Sequence, residues 1–282
     1  MDWFLLAMVD VVAYSISNIL QRVLMKDQKS DAVAYAIVFQ LLCGLLIGIA
    51  ALLRGFVMPP IAQMPVNFII MTLLFGFSMV FTFKALKIVQ ASEMTIISST
   101  ATLWTIVAAL LFLGESLDIN KLVGILLMLG GIVVVFWRKE GLKINKGFIY
   151  ALLASFFFGL AVANDAFILR QAEVFSYYTI GFLLPGIFIL VLNLKSMPEI
   201  KKLLLSKSLP KMVISAIFYS IAAVAMLMAF QQGGHISQLA PITKFSIILT
   251  VLLAAVFLGE KDNFKRKTIA AIMAIIGVFL IK

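Results

Sequence analysis

Ten stretches of nearly unbroken apolar residues divide the chain, at 3–25, 32–53, 66–89, 92–113, 119–137, 147–169, 176–194, 211–232, 236–258 and 264–281. Each has about the length needed to cross the hydrocarbon of a bilayer, which takes about 20 residues of helix at about 1.5 Å each. A backbone in lipid must satisfy its own hydrogen bonds, and none of the stretches alternates with the period of two that a barrel strand requires, so helix is the expected state. The connections are short, and no soluble domain, low-complexity tail or long linker interrupts them. The first stretch lacks a basic leader and a small-residue cleavage site, and is expected to remain as span 1.

Composition agrees with this pattern. Hydrophobic residues make up 63% of the chain and charged residues 13%, against roughly 45–50% and about 25% in soluble domains. The expected class is an all-α integral membrane protein. The single Cys43 excludes an intrachain disulfide and reads as a packing residue.

The segment FLGE occurs twice, at Phe112–Glu115 and Phe257–Glu260, 145 positions apart. Sliding Ser92–Glu115 onto Ser237–Glu260 without a gap matches 8 of 24 positions, among them Ile97/Ile242, Thr105/Thr250 and Ala109/Ala254. With one residue inserted after the motif, Gly124 meets Ala270 and Gly131 meets Gly277. Span 4 therefore corresponds to span 9 and span 5 to span 10. The expectation is a tandem duplication of a five-helix unit, residues 1–139 and 140–282, and an odd number of spans inverts the second copy relative to the first. Such inverted repeats recur in secondary transporters, where the halves enclose a site near the midplane.

Ten spans, the paired FLGE closing the fourth helix of each half, and the spaced glycines of VGILLMLGG (Val123–Gly131) resemble the drug/metabolite transporter superfamily, specifically its EamA-type members. The resemblance covers almost the whole chain. It implies export or exchange of small metabolites such as amino acids, through a cavity lined mainly by spans 1, 3, 4, 6, 8 and 9, and it does not specify the substrate.

The loops carry the charge. Loops 1/2, 3/4, 5/6, 7/8 and 9/10 hold 18 of the 23 Lys and Arg residues, the opposite side holds Arg54, Lys121, Arg170 and Lys282, and Lys244 belongs to neither. The positive-inside rule makes the basic side cytoplasmic, which puts both termini outside, the reverse of the arrangement usual for the family. The net charge of +10 is then a matter of topology and anionic lipid, and no nucleic-acid partner is implied.

Ionisable groups inside the membrane cost at least about 2.5–3.5 kcal/mol and tend to face a cavity or a partner. Lys244 is the clearest, about 12 Å into span 9 at about 1.5 Å per residue, and it aligns with Ser99 in the polar run SSTAT of span 4. Pro241, three residues earlier, frees a carbonyl. Asp10 in span 1 lies at a similar depth, so the two are expected to pair in an empty cavity, or to take the amine (Asp10) and the carboxylate (Lys244) of a zwitterionic cargo. A structural ion pair for Lys244 is the competing interpretation. Asn18, Trp104, Asn164, Gln231 and Thr243 complete the candidate substrate-binding set, although amides also hold helices together and membrane aromatics commonly pack against neighbouring helices or lipid. Asp165 is expected to pair with Arg170 one turn away, Glu93 to stabilise the start of span 4, and Glu115 and Glu260 to suit the dipoles of the helices that follow them. The glycine of each FLGE is assigned to close packing, as are Gly44 and Gly48, and Pro185 to a kink in span 7.

No HExxH, GxSxG or phosphate loop occurs, and His235 is the only histidine, so neither an enzyme nor a metal or cofactor site is expected. A seven-helix receptor conflicts with ten spans. The expected function is a plasma-membrane secondary transporter of small amino-acid-like or anionic metabolites working by alternating access, as a monomer or homodimer in the lipid bilayer. The alternatives are a lipid or lipid-linked sugar flippase and a cation or drug efflux carrier.

Overall fold

The computed structural model describes residues 2–27, 30–112, 119–138, 141–142, 144–232 and 236–281, without the side chains of 109, 110, 112, 121, 138, 141, 142, 166, 227, 230, 231, 236–241 and 281. Glu115, with the rest of the first FLGE after Phe112, and His235 lie outside the described residues. Among the described residues the chain is almost wholly helical: α1 (Trp3–Met25), α2 (Ala32–Arg54), α3 (Pro65–Leu86), α4 (Ala91–Ser98), α5 (Ala101–Phe112), α6 (Ile119–Phe136), α7 (Lys146–Ile168), α8 (Val174–Leu192), α9 (Met197–Leu204), α10 (Leu209–Gln231), α11 (Ile236–Phe257) and α12 (Phe264–Ile281). A two-residue ribbon pairs β1 (Trp137–Arg138) with β2 (Gly141–Leu142).

Six helices, α1, α2, α3, α7, α8 and α10, contain windows long and apolar enough to cross a membrane, and shorter apolar stretches occur at Leu122–Phe136 and Ile242–Phe257. The distribution of side chains is inverted relative to a water-soluble fold. Leu53 is 85% exposed and Phe257 72%, whereas Lys267 is 1% exposed and Glu260 5%. Apolar surface outside and charge inside is the arrangement a hydrocarbon solvent favours. This is a multi-pass membrane protein.

Two local features depart from the sequence expectation. Span 4 is broken at Ser99 and Thr100, whose hydroxyls donate to the carbonyls of Ile96 and Ile97 at 2.7 Å each. These hydroxyls compete with the helical ladder for the same carbonyls, and the backbone bonds tighten to Thr102 N–H→Ser99 O and Leu103 N–H→Thr100 O. The second is α9, which the sequence presents only as a basic loop. Pro198 stands in its first turn, Lys201 and Lys202 face out, and Leu203 is buried, so an amphipathic turn too short to span lies against α2. Pro185 sits within α8, which runs unbroken from Val174 to Leu192.

The helices pair across the chain: α1 packs on α10 and α3 on α7, α2 on α8, α6 on α12, α1 on α11, and α4 and α5 on α7. Small residues set the closest approaches. A Cβ on Gly277 of α12 would stand 2.6 Å from the Gly124 carbonyl of α6, and one on Gly131 of α6 would stand 3.0 Å from the Ala270 carbonyl of α12. The pair Gly44 and Gly48 of α2 packs on Leu183 and Thr179 of α8, as expected for close packing within the fold.

Replacing Gly277 by Ala is expected to cost about 1–3 kcal/mol, because the methyl group meets rigid backbone. Gly130→Ala, which meets only the mobile end of Met273 at 3.0 Å, should leave the unfolding midpoint in detergent nearly unchanged. Equal midpoints for the two variants would contradict the packing described for α6 and α12.

Candidate functional site

A cavity of about 270 Å³ lies among the helices. Residues from α1, α2, α3, α4, α5, α7, α8, α10 and α11 reach it. The participation of α2 through Gln40, and of α8 through Tyr177, Tyr178, Gly181 and Phe182, widens the set of helices expected from the family resemblance.

One wall is aromatic. Tyr219 of α10 lies 5.8 Å from Tyr14, 5.2 Å from Phe39 and 5.8 Å from Phe182, ring centre to ring centre. Phe75 and Phe158, at 5.8 Å from each other, continue the wall on α3 and α7. The break between α4 and α5 opens on the same space through Ser98, Ser99 and Ala101. Non-helical backbone at membrane depth is tolerated where it lines such a cavity.

Lys244 lines the cavity beside Ser246 and Ile247 of α11, and is in no ion pair with a described residue. Asp10 is buried and close enough for its charge to interact with that of Lys244, but it makes no contact ion pair and does not line the cavity. The direct pairing expected in an empty cavity is absent from this structure. Asn18 and Ser99 line the cavity. Thr243 is half-buried next to Lys244 without lining the cavity, and the side chain of Gln231 lies outside the described residues.

Two candidates are used elsewhere. Trp104 stacks edge-on against Phe156 of α7 at 5.0 Å, its indole nitrogen buried without an acceptor among the described residues. Asn164 accepts from the Asn67 amide at 2.8 Å and donates to the Asn67 carbonyl at 3.0 Å, joining α7 to α3. Such reciprocal amide bonds fasten helices where water is excluded.

Asp165, by contrast, lines the cavity. Its carboxylate accepts from the Tyr177 hydroxyl, while Arg170 stacks over its own neighbour Phe167 at 5.8 Å, so the Asp165–Arg170 pair expected from the sequence is not formed. Arg170 lies past the end of α7 at Ile168, in the turn that follows, and is not an i+3 or i+4 partner on the face of Asp165. An acid within a span was the available signal, and its neighbourhood to an arginine in sequence concealed it. Gln40 was undervalued in the same way: its carbonyl oxygen is buried at the cavity without a donor among the described residues.

The second FLGE joins separate elements at the basic end of the structure. Glu260 does not serve the helix that follows it. Its oxygens accept from Ala91 N–H at 3.1 Å, Ser92 N–H at 3.2 Å and Ser92 Oγ at 2.9 Å, at the start of α4. A carboxylate there satisfies orphan donors and complements the helix dipole. Arg22 of α1 stands beside it, Nε 3.6 Å from Oε1, and its guanidinium also donates to the Leu86 carbonyl. Lys267 of α12 donates to Gln90 immediately before α4. Glu93 supplies the expected stabilisation of the helix start by accepting from Gln90 N–H at 3.1 Å. Gly259 also differs from expectation: at φ 68° a Cβ would meet nothing within 4 Å, so this glycine permits a left-handed turn and not a close approach.

An apolar exterior, a cavity within it lined by aromatic and polar side chains, and a buried charged cluster at one end suit a membrane transport protein. The model of the EamA-like transporter family matches residues 1–137 and 145–282. The chain belongs to that family, within the drug/metabolite transporter superfamily, and is not an enzyme. Among solved structures 26 chains match. One of them, described only as "Crystal structure of protein", superposes with a TM-score of 0.60 over 99% of this chain and 95% of its own at 18% identity, a likeness of fold. No curated protein matches.

Removing Glu260 by substitution to Ala is expected to cost about 3–5 kcal/mol, since it strands Arg22 and the start of α4. The exposed pair Glu199–Lys202, at 3.3 Å, should change stability by no more than about 1 kcal/mol when Glu199 becomes Ala. Thermal unfolding of both variants in detergent measures the difference.

Proposed function

We propose that the protein is a ten-span, inverted-repeat secondary transporter that moves small zwitterionic or anionic metabolites by alternating access. In this reading α4 and α5 form span 4, α6, α11 and α12 are spans 5, 9 and 10, and α9 is peripheral. The repeats are residues 1–139 and 140–282, and the family model's two matched segments support that division. The helix pairing supports the inversion. Exchanging each span with its counterpart five later turns α1–α10 into α7–α3 and α1–α11 into α7 with α4 and α5, and maps α2–α8 and α6–α12 onto themselves. The two close glycine contacts are related in the same way. Gly124 aligns with Ala270 and Gly131 with Gly277, and the contacts run from Gly131 to Ala270 and from Gly277 to Gly124. The loop charges orient the basic side toward the cytoplasm of a plasma-membrane protein.

The observation that carries the cargo class is Lys244. It faces the cavity with no contact carboxylate among the described residues. A cation at membrane depth with no contact partner among the described residues calls for an anion, and the cargo is the anion that arrives. Asn18, Ser99 and Gln40 add hydrogen bonds to the polar part of the cargo, while the tyrosine and phenylalanine walls accept its apolar part. Asp10, an electrostatic neighbour of Lys244, favours a cargo that also carries an amine. The Glu260 closure shuts the basic end and, in the cycle, releases when the cavity opens there.

Efflux of labelled amino acids from reconstituted vesicles, compared with lipid scrambling in the same vesicles, tests the proposal. Lys244→Met should lower amino-acid flux about tenfold to a hundredfold, the loss of one charged hydrogen bond, and Asp10→Asn should lower it for zwitterions more than for anions. Normal flux in both variants, with both correctly inserted, would refute the cargo assignment, and scrambling without flux would favour a flippase.

A further inference from the structure

Asp165 is the only carboxylate lining the cavity among the described residues. It is 7% exposed, and the sole hydrogen bond to its carboxylate from a described residue is that of the Tyr177 hydroxyl. Among the described residues, the elements around α7 bring it no cation. From α8 come the hydroxyls of Tyr177 and Tyr178, and from α3 comes Asn67, which is bound to Asn164. Lys84 lies at the other end of α3, over the rings of Phe81 and Tyr150. No residue of α5 is charged, and the one charged residue of α4, Glu93, is held in its capping box at the far end. On its own helix Lys146 stands at the opposite terminus, and Arg170, just past the near one, lies over Phe167. The carboxylate of Asp10 shares Tyr178 with it as an electrostatic neighbour.

A carboxylate in this setting needs a counter-charge, because burial of an isolated ion is costly. A metal cation requires several oxygen ligands, and no group of three or more metal-binding side chains occurs among the described residues. A proton needs no such ligands and no room. Counted along the helices at about 1.5 Å per residue, Asp165 also lies roughly 7 Å nearer its face of the membrane than Lys244, so the two groups occupy separate levels of one cavity.

On the alternating-access reading above, we infer that Asp165 is the proton-binding site of the transport cycle. One proton adds to the carboxylate while the cavity is open to the face where α7 ends, giving the neutral acid. It leaves the same group when the cavity opens to the other face, restoring the carboxylate. Tyr177 is a positioning residue that fixes the carboxylate at the cavity wall.

An infrared pH titration of the purified protein in lipid tests proton binding without reference to cargo. A protonated-carboxyl C=O band is expected that Asp165→Asn abolishes and Asp10→Asn leaves in place. Tyr177→Phe should move it to higher frequency by removing the phenol's hydrogen bond. Flux of a labelled L-amino-acid mixture then tests coupling: an imposed pH gradient should accelerate wild-type flux, and the ratio of flux with and without the gradient should fall to unity in Asp165→Asn. A band unaffected by Asp165→Asn, an Asp165 that stays ionised throughout the titration, or an Asp165→Asn variant that still responds to the gradient would overturn the inference. Absence of amino-acid flux in the wild type would count against the proposed cargo, and the infrared band would still decide the proton site.

Discussion

The hydrocarbon around this chain offers no hydrogen bonds, so each polar group at membrane depth must find its partner inside the protein or in the cavity. The architecture follows from how those partners are supplied. Ser17 donates to the Ser215 carbonyl at 2.9 Å, Ser78 to the Ala154 carbonyl at 3.0 Å and Thr105 to the Gly159 carbonyl at 2.9 Å, each joining a helix of the first half to one of the second. Lys244 and Gln40, and Asp165 held by the Tyr177 hydroxyl, gather at the cavity.

Glu260 shows how far one buried acid organises its surroundings. It reaches from the turn after α11 to the first residues of α4, with Arg22 of α1 beside it. Three elements from different parts of the chain therefore meet on one carboxylate. Such an arrangement is strongly weakened by removing any member. At the opposite end the joints are milder, the amide pair Asn67–Asn164 and the bond from Tyr177 to Asp165.

Much of the fold was legible because lipid leaves few choices. The apolar stretches read from the sequence lie close to the helices observed, usually within two or three residues at each end, since an uninterrupted apolar run of that length has no other way to satisfy its backbone. The exceptions are informative. The break at Ser99–Thr100 arises from side chains bonding to carbonyls three residues back, an outcome that hydrophobicity does not register. Helix α9 escaped notice because eight amphipathic residues with two lysines resemble a loop until a surface exists for Leu203 to pack on. Within the site, Lys244, Asn18 and Ser99 were legible as polar groups at depth, whereas Asp165 and Asn164, adjacent in sequence, differ by about 100° around α7 and have opposite fates.

The sequence by itself determined that the protein lives in a membrane, where its helices lie, that FLGE recurs in register, and which groups are too polar for lipid. Those are properties of composition and period, carried by each segment alone. Tertiary structure decided the partners: that Glu260 binds the start of α4 and not its own next helix, that Asp10 stands near Lys244 without touching it, and that Asp165 turns to the cavity and not to Arg170. A partner choice depends on which faces of which helices meet. That is settled by packing between segments far apart in the chain, through contacts such as Gly277 against the Gly124 carbonyl, which no local pattern contains.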